Sequence, residues 1–183
     1  MKNKYEIRGD VTAIFLESPK YGSMETLIDT VDLPWVQEFP NNWRAHWNPK
    51  SKYFYVRGSV TEAGKPGVMY LHRWVSGLMV DGVDVDHQNL NTLDNRRSSN
   101  LRVCTRAENM QNRKGAQVNN LSSGIRGVSW DKFTNSWKAH IKINGILKHL
   151  GRFKEPHKAE AAVKEARAEL MPFSKEGAFA YDT

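Results

Sequence analysis

Four residues in the middle of the chain carry groups able to move a proton or hold a cation: Asp86, His87, Asn100 and Asn109. A neutral imidazole titrates near pH 7 and is suited to take a proton from water, the role assigned to His87. A carboxylate such as Asp86 and an amide carbonyl such as that of Asn109 suit a hard divalent cation, Mg2+ or Mn2+ in its place. A lone Asp-His pair is common by chance, so the set has to be weighed as a set. Asn and Asp also favour turns because their side chains satisfy the local backbone, and Asn89, Asn91, Asp94 and Asn95 are read as turn residues of that kind.

The elements that must position these groups follow from the surrounding pattern. Residues 83–105 hold two short apolar pieces around a polar loop dense in Asn and Asp, which predicts a hairpin with a long tip. Thr105-Arg-Ala-Glu108 is a capping box and predicts a helix beginning there, with Asn109 in its first turns and Asn112 one turn on. Leu71-His-Arg-Trp-Val75 reads as a short helix ahead of the hairpin. Adjacent strand residues point to opposite sides, so the loop has to bend if Asp86 and His87 are to serve one reacting group. His72 is read as packing against the hairpin.

Asp86-His87, Asn100-Leu-Arg102 and Glu108-Asn109-Met-Gln-Asn112, preceded by Leu71-His-Arg73, resemble the ββα-metal motif of HNH homing endonucleases over about residues 70–114. The ordered set is specific where the single pair is not. This variant carries Asn where other members place a metal-binding His, and no His follows His87 until His140. The resemblance implies hydrolysis of DNA phosphodiester bonds with one divalent metal. Asp86 and Asn109 would be its ligands, His87 the general base, and Asn100 the residue that fixes the loop and orients His87. Water and phosphate oxygens would complete the metal shell. A zinc site is disfavoured, because Cys104 stands alone and a closed structural site wants four N or S ligands.

Composition agrees with a nucleic-acid partner without requiring one. The chain of 183 residues carries 27 Lys and Arg against 20 Asp and Glu, a formal charge of +7, and its mean hydropathy of −0.64 allows only modest cores. Charge alone leaves a membrane surface or a merely basic protein open. One cysteine excludes an internal disulfide framework and points to a reducing interior. No apolar run reaches membrane-spanning length, and the amino-terminal MKNKYEIRGD lacks the apolar stretch of a secretory signal. The expected setting is the cytoplasm, that of a phage-infected host included.

The positive charge is concentrated towards the carboxy terminus. Between residues 113 and 155, nine Lys and Arg stand against Asp131 and Glu155, an excess equal to that of the whole chain. Residues 136–143 alternate cleanly, with Trp137, Ala139, Ile141 and Ile143 on one face and Lys138, His140 and Lys142 on the other. Asn144-Gly145 supplies a two-residue hairpin turn, and residues 146–153 return with Lys148 and Arg152. Pro156 opens a helix whose Ala159, Ala162, Val163, Ala166 and Leu170 form an apolar stripe. Gly124-Ile-Arg-Gly-Val-Ser-Trp130, Trp137-Lys-Ala139, His149-Leu-Gly-Arg-Phe153 and Ala159-Glu-Ala-Ala162 resemble the DNA-binding domain of plant ethylene-response factors over about residues 124–171. In that family the open sheet face enters the major groove, which makes Arg126, Trp130, Lys138, His140, Lys142, Lys148 and Arg152 candidate DNA contacts. Ser129 stands where plant members usually have a basic residue, so their base specificity does not transfer.

The fold class expected is α+β, assembled from small modules. Residues 1–66 form a β-rich module expected to contact DNA, with strands at 11–16, 26–28 and 53–56 and with Trp43 and Trp47 favoured as core over base stacking. A turn cluster at 63–67 ends it. Residues 67–114 are the HNH unit, 115–124 a linker, 125–171 a three-stranded antiparallel sheet plus one helix, and 172–183 a tail. The function expected is a sequence-directed, homing-type endonuclease acting on double-stranded DNA without an obligate protein partner, as a monomer that nicks or as a dimer on DNA. The alternatives are a DNA-binding regulator with an inactive HNH unit and a nonspecific or packaging-associated nuclease.

Overall fold

The computed structural model describes residues 1–113, 115–116 and 120–174, save the side chain of Glu62. It divides into two compact units, Met1–Thr105 and Arg106–Thr183. Both are α+β, built from small antiparallel sheets and few helices.

In the first unit, β1 (Tyr5–Arg8), β2 (Val11–Ser18) and β3 (Gly22–Asp29) form a meander. Its inward residues are the β-branched and aliphatic ones the sequence marks, Ile14, Leu16 and Ile28 among them, all fully buried. The short α1 (Leu33–Gln37) leads to a second meander of β4 (Arg44–Asn48), β5 (Tyr53–Glu62) and β6 (Lys65–Tyr70). Ala63 and Gly64, at φ 49° and 77°, make the tight turn between β5 and β6. The expected break at 63–67 is therefore only two residues long, and the boundary drawn after residue 66 falls inside β6. Pro66 is tolerated there because β6 is an edge strand, where a missing N–H costs no ladder bond.

Next come α2 (Leu71–Val75), as the sequence predicts, and the hairpin of β7 (Asp84–His87) and β8 (Leu101–Cys104). One core serves all of these. Ile14, Ile28, Phe39, Trp43 and Val56 pack in the same cluster as Leu71, Val75, Val85 and Leu101. Burying the Trp43 indole against the Phe39 ring, centroids 3.8 Å apart, accounts for a large share of that core. Gly58 makes this possible, because a Cβ there would stand 2.2 Å from the Phe39 ring.

In the second unit α3 (Arg106–Asn109) begins where the sequence predicts, but it passes after one turn into a 3-10 turn over Met110–Asn112. Strands β9 (Val128–Asp131), β10 (Ser136–Ile143) and β11 (Ile146–Phe153) form a sheet in the order β11-β10-β9, covered by α4 (Pro156–Leu170). Ala159, Val163 and Ala166 are the buried helix residues, and they meet Val128, Ala139 and Ile141 of the sheet. Small alanines bring the helix close to the strands, as the stripe implied. Asn144 and Gly145, both at positive φ, form the predicted turn. Residues 117–119 of the expected linker lie outside the described residues. Asn120 and Ser123, at its far end, are bonded into the sheet: Asn120 Nδ2 donates to the carbonyls of Ile125 and Val128, 2.8 Å each, and Ser123 Oγ to that of Val128. The tail expected at 172–183 is described only to Ser174, which is buried.

Candidate active site

The β7–β8 hairpin brings the motif residues together in antiparallel register, Asp86 opposite Arg102 and His87 opposite Leu101. Asp86 and His87 are 7% and 4% exposed, and Asn100 is fully buried. Burial of so many polar groups in a small fold is tolerated only when each finds partners.

The twelve-residue loop between His87 and Asn100 is held from two sides. From within, Asn100 Oδ1 accepts from the Asn89 amide at 2.9 Å, while its Nδ2 donates to the carbonyls of Asp94 and Asn91 at 2.6 and 3.2 Å. Asn100 thus ties the loop, as the resemblance implied. Asn89 and Asn91 cap local amides, and Asp94 takes a two-pronged bond from Arg96, so their turn reading stands. From outside, the amino-terminal strands clamp the loop. The Leu27 amide donates to Leu93 O, and the Asn95 amide to Leu27 O. Ser98 donates to Asp29, Arg97 pairs with Asp32, and Thr92 bonds the Phe54 carbonyl.

His87 is held by a residue outside the set singled out in the sequence. Asn95 Oδ1 lies 3.2 Å from His87 Nε2, and Asn95 Nδ2 donates to Thr26 Oγ at 2.8 Å. Thr26 in turn donates its hydroxyl hydrogen to Leu93 O at 2.6 Å. The polarity of this chain is set at its far end. A hydroxyl that has spent its hydrogen accepts from the Asn95 amide nitrogen, so the amide oxygen faces the ring. That places the imidazole proton on Nε2 and the lone pair on Nδ1. Asn95 is therefore bonded to the ring itself, and it is more than a turn residue. Sequence spacing could not tell it from its Asn neighbours, because the partner that distinguishes it, Thr26, lies 69 residues away.

Three rings gather around His87. His72 lies edge-on at 5.1 Å between centroids, Tyr55 at 6.4 Å, and Tyr70 lies tilted beside His72 at 5.5 Å. Burial, with the His87 and Arg73 charges adding to it, pushes His72 down to about 3, so it is a neutral packing ring, in line with the sequence reading. Burial likewise lowers His87 below its ordinary value, against opposing contributions from Asn95, Asp86 and Asp94. Burial raises Tyr55, with the Asp86 charge adding to that shift.

Asp86 receives Arg102 Nε and Nη2 on its Oδ2, at 3.1 and 2.8 Å. No group of three or more His, Cys, Asp or Glu able to hold a metal occurs among the described residues. Asp86 is thus a single buried carboxylate already paired with a guanidinium, and a divalent cation there would need further oxygen ligands. Asn109, the other proposed ligand, ends α3 in the second unit.

The second unit sorts the candidate DNA contacts by register. Lys138 faces Arg152 and His140 faces His149 across β10 and β11, so these four share the outer face with Lys142. His149 was missed in the sequence because strand alternation puts it opposite Arg152 in parity. A bulge between Ala139 and His140 leaves Leu150 without a partner and reverses that parity. The same bulge sets Lys148 opposite Ile141, on the helix-side face, away from Arg152. Trp130 pairs with Trp137, rings 5.0 Å apart, also on that side. Arg126 Nη1 donates to the carbonyls of Gln111 and Arg113 at 2.8 Å each, and Nη2 to that of Met110. Arg126, Trp130 and Lys148 thus stand apart from the outer face. Arg152 there also pairs with Asp131 at 3.4 Å.

Residues 70–111, which include the β7–β8 hairpin and its Asn-tied loop, match the HNH endonuclease family. The match supports an enzyme, a nuclease that hydrolyses DNA. No curated protein and no solved structure matches the chain. Among the described residues, no helix is long and apolar enough to cross a membrane.

Proposed function

We propose that the protein is a sequence-directed, homing-type endonuclease that cuts double-stranded DNA with one divalent cation, Mg2+ or Mn2+ in its place. The observation that carries the reading is a buried imidazole kept neutral inside the HNH segment, with its proton directed to Nε2. Nδ1 of His87 takes the proton of the attacking water as that oxygen bonds to phosphorus and the bond to the 3′ oxygen breaks. Asp86 would hold the cation, with Asn109 added by the motif resemblance; when bound, it would offset charge growing on the leaving oxygen. Arg102 keeps Asp86 aimed, and Asn100 and Asn95 keep the loop and ring in place.

Target choice is assigned to the second unit. Its three strands and covering helix are the arrangement that the ethylene-response-factor resemblance implied, and Lys138, His140, Lys142 and Arg152 offer cations to a groove from one sheet face. With one such site per chain, a monomer nicks, and cutting both strands takes two chains or a second engagement.

The test incubates supercoiled and long duplex DNA with Mg2+ and compares wild type with His87→Ala. Discrete cleavage by the wild type and binding without cleavage by the variant are expected. Cleavage that survives in the variant removes His87 as the base. A wild type inactive with every divalent metal and target DNA favours a DNA-binding regulator.

A further inference from the structure

The second sheet of the first unit has an outward face that leads into the active site. Register sets Arg44 opposite Arg57, Arg57 opposite Tyr70, and His46 opposite Tyr55. The reverse face carries Ala45, Val56, Val60 and Met69, which pack into the core, so the first face is turned away from it. Arg44 is exposed, and Arg57 and His46 are partly so. Arg57 stands one strand spacing, about 4.8 Å, from Tyr70. The Tyr70 ring is 5.5 Å from that of His72, and His72 is 5.1 Å from His87. A continuous row therefore runs from two guanidinium groups to the proposed base.

The charge on this row is unbalanced. Its remaining positions on β4, β5 and β6 are Asn48, Tyr53, Ser59, Thr61, Pro66 and Val68, none of them acidic. Among the described residues neither Arg44 nor Arg57 forms an ion pair. Like charges directly opposite on neighbouring strands repel, and a fold with that arrangement is stabilised by an anion placed between them. The Arg57 charge adds to burial in holding His46 below its ordinary value, which shows how near the two groups lie.

We propose that this face grips the phosphodiester backbone of the DNA duplex beside the scissile phosphate, with Arg44 and Arg57 on phosphate oxygens and the Tyr55 and Tyr70 rings lining the path to His87. The proposal rests on the nuclease reading and gives the amino-terminal module its part in it. Arginine suits the task because its planar fork matches phosphate oxygens two at a time.

The test measures equilibrium binding of the full chain to a long mixed-sequence duplex over a salt series, with EDTA present so that nothing is cut. Each phosphate contact contributes about 0.9 to the slope of log affinity against log salt, so Arg44→Gln/Arg57→Gln is expected to lower the slope by about 1.8. Arg44→Lys/Arg57→Lys, which keeps the charge, is expected to keep the slope. A Gln variant with the wild-type slope overturns the proposal, and so does a Lys variant whose slope falls as far as that of the Gln variant. A wild type that shows the arginine-dependent slope yet cleaves no DNA supports the proposal and removes the nuclease reading.

Discussion

Acidification should loosen the first unit before any carboxylate is protonated, and His72 should be a main cause. Its ring is enclosed by Tyr55, Tyr70 and His87, with Arg73 next to it in the chain, and burial first, then the His87 and Arg73 charges, lowers it from 6.5 to about 3. The folded protein thus binds this proton later than the unfolded chain does. The sign follows: the stability held by a neutral His72 is fully present above pH 6.5 and is lost as pH falls from there towards 3. Each pH unit inside that window costs about 1.4 kcal/mol, so lowering the pH from about 7 to about 5 removes about 2 kcal/mol. His72→Phe keeps a ring in the box and deletes the titration. Denaturant unfolding followed through the Trp35, Trp43 and Trp74 cluster reads the effect at the two pH values. His87 shifts in the same direction and remains in the variant, so the difference between the two proteins reports His72 together with its coupling to His87. Equal losses in wild type and His72→Phe would refute the account of His72 as a ring held neutral by burial.

Asn95→Ala removes the acceptor at His87 Nε2; single-turnover cleavage should slow by at least about tenfold, part of the roughly 10²–10⁴-fold that a positioned base contributes, and Asn95→Asp should restore much of the rate. An Asn95→Ala protein that cleaves at the wild-type rate contradicts the orienting role. Arg126→Ala should act on folding, because its guanidinium holds three main-chain carbonyls: a loss of roughly 1–3 kcal/mol in unfolding free energy is expected, with the salt slope of DNA binding unchanged. A fall of about 0.9 in that slope, with stability intact, would return Arg126 to the DNA contacts.

Much of the fold was legible because local rules sufficed. The alternation over 136–143, the Asn144-Gly145 turn and the Pro156 helix start each depend on a few neighbouring residues, and each appears where expected. The Asp-His pair and Asn100 were legible for a different reason, as an ordered set in one short span. What escaped was non-local. The bulge at Leu150 is one unpaired residue marked in the sequence only by the neighbouring Gly151, yet it moves Lys148 to the other face and brings in His149. Pro66 looked like a boundary and is an edge-strand residue. The HNH hairpin was expected to stand as its own module, whereas Val85 and Leu101 share a core with Ile14 and Trp43.

By itself, the sequence determined the α+β modules, the chemistry available at Asp86 and His87, and the concentration of charge beyond residue 113, because residue type, period and spacing are local properties. The tertiary structure decided which of several similar side chains meets which partner. Only the folding of β3 against the loop sets Asn95 between Thr26 and His87, so that a threonine far upstream settles which nitrogen carries the proton. Only sheet register shows Arg44 and Arg57 in a row with the active-site rings. Such pairings are fixed by packing over long sequence separations, where burial requires every polar group to find a partner and no short pattern records which one it finds.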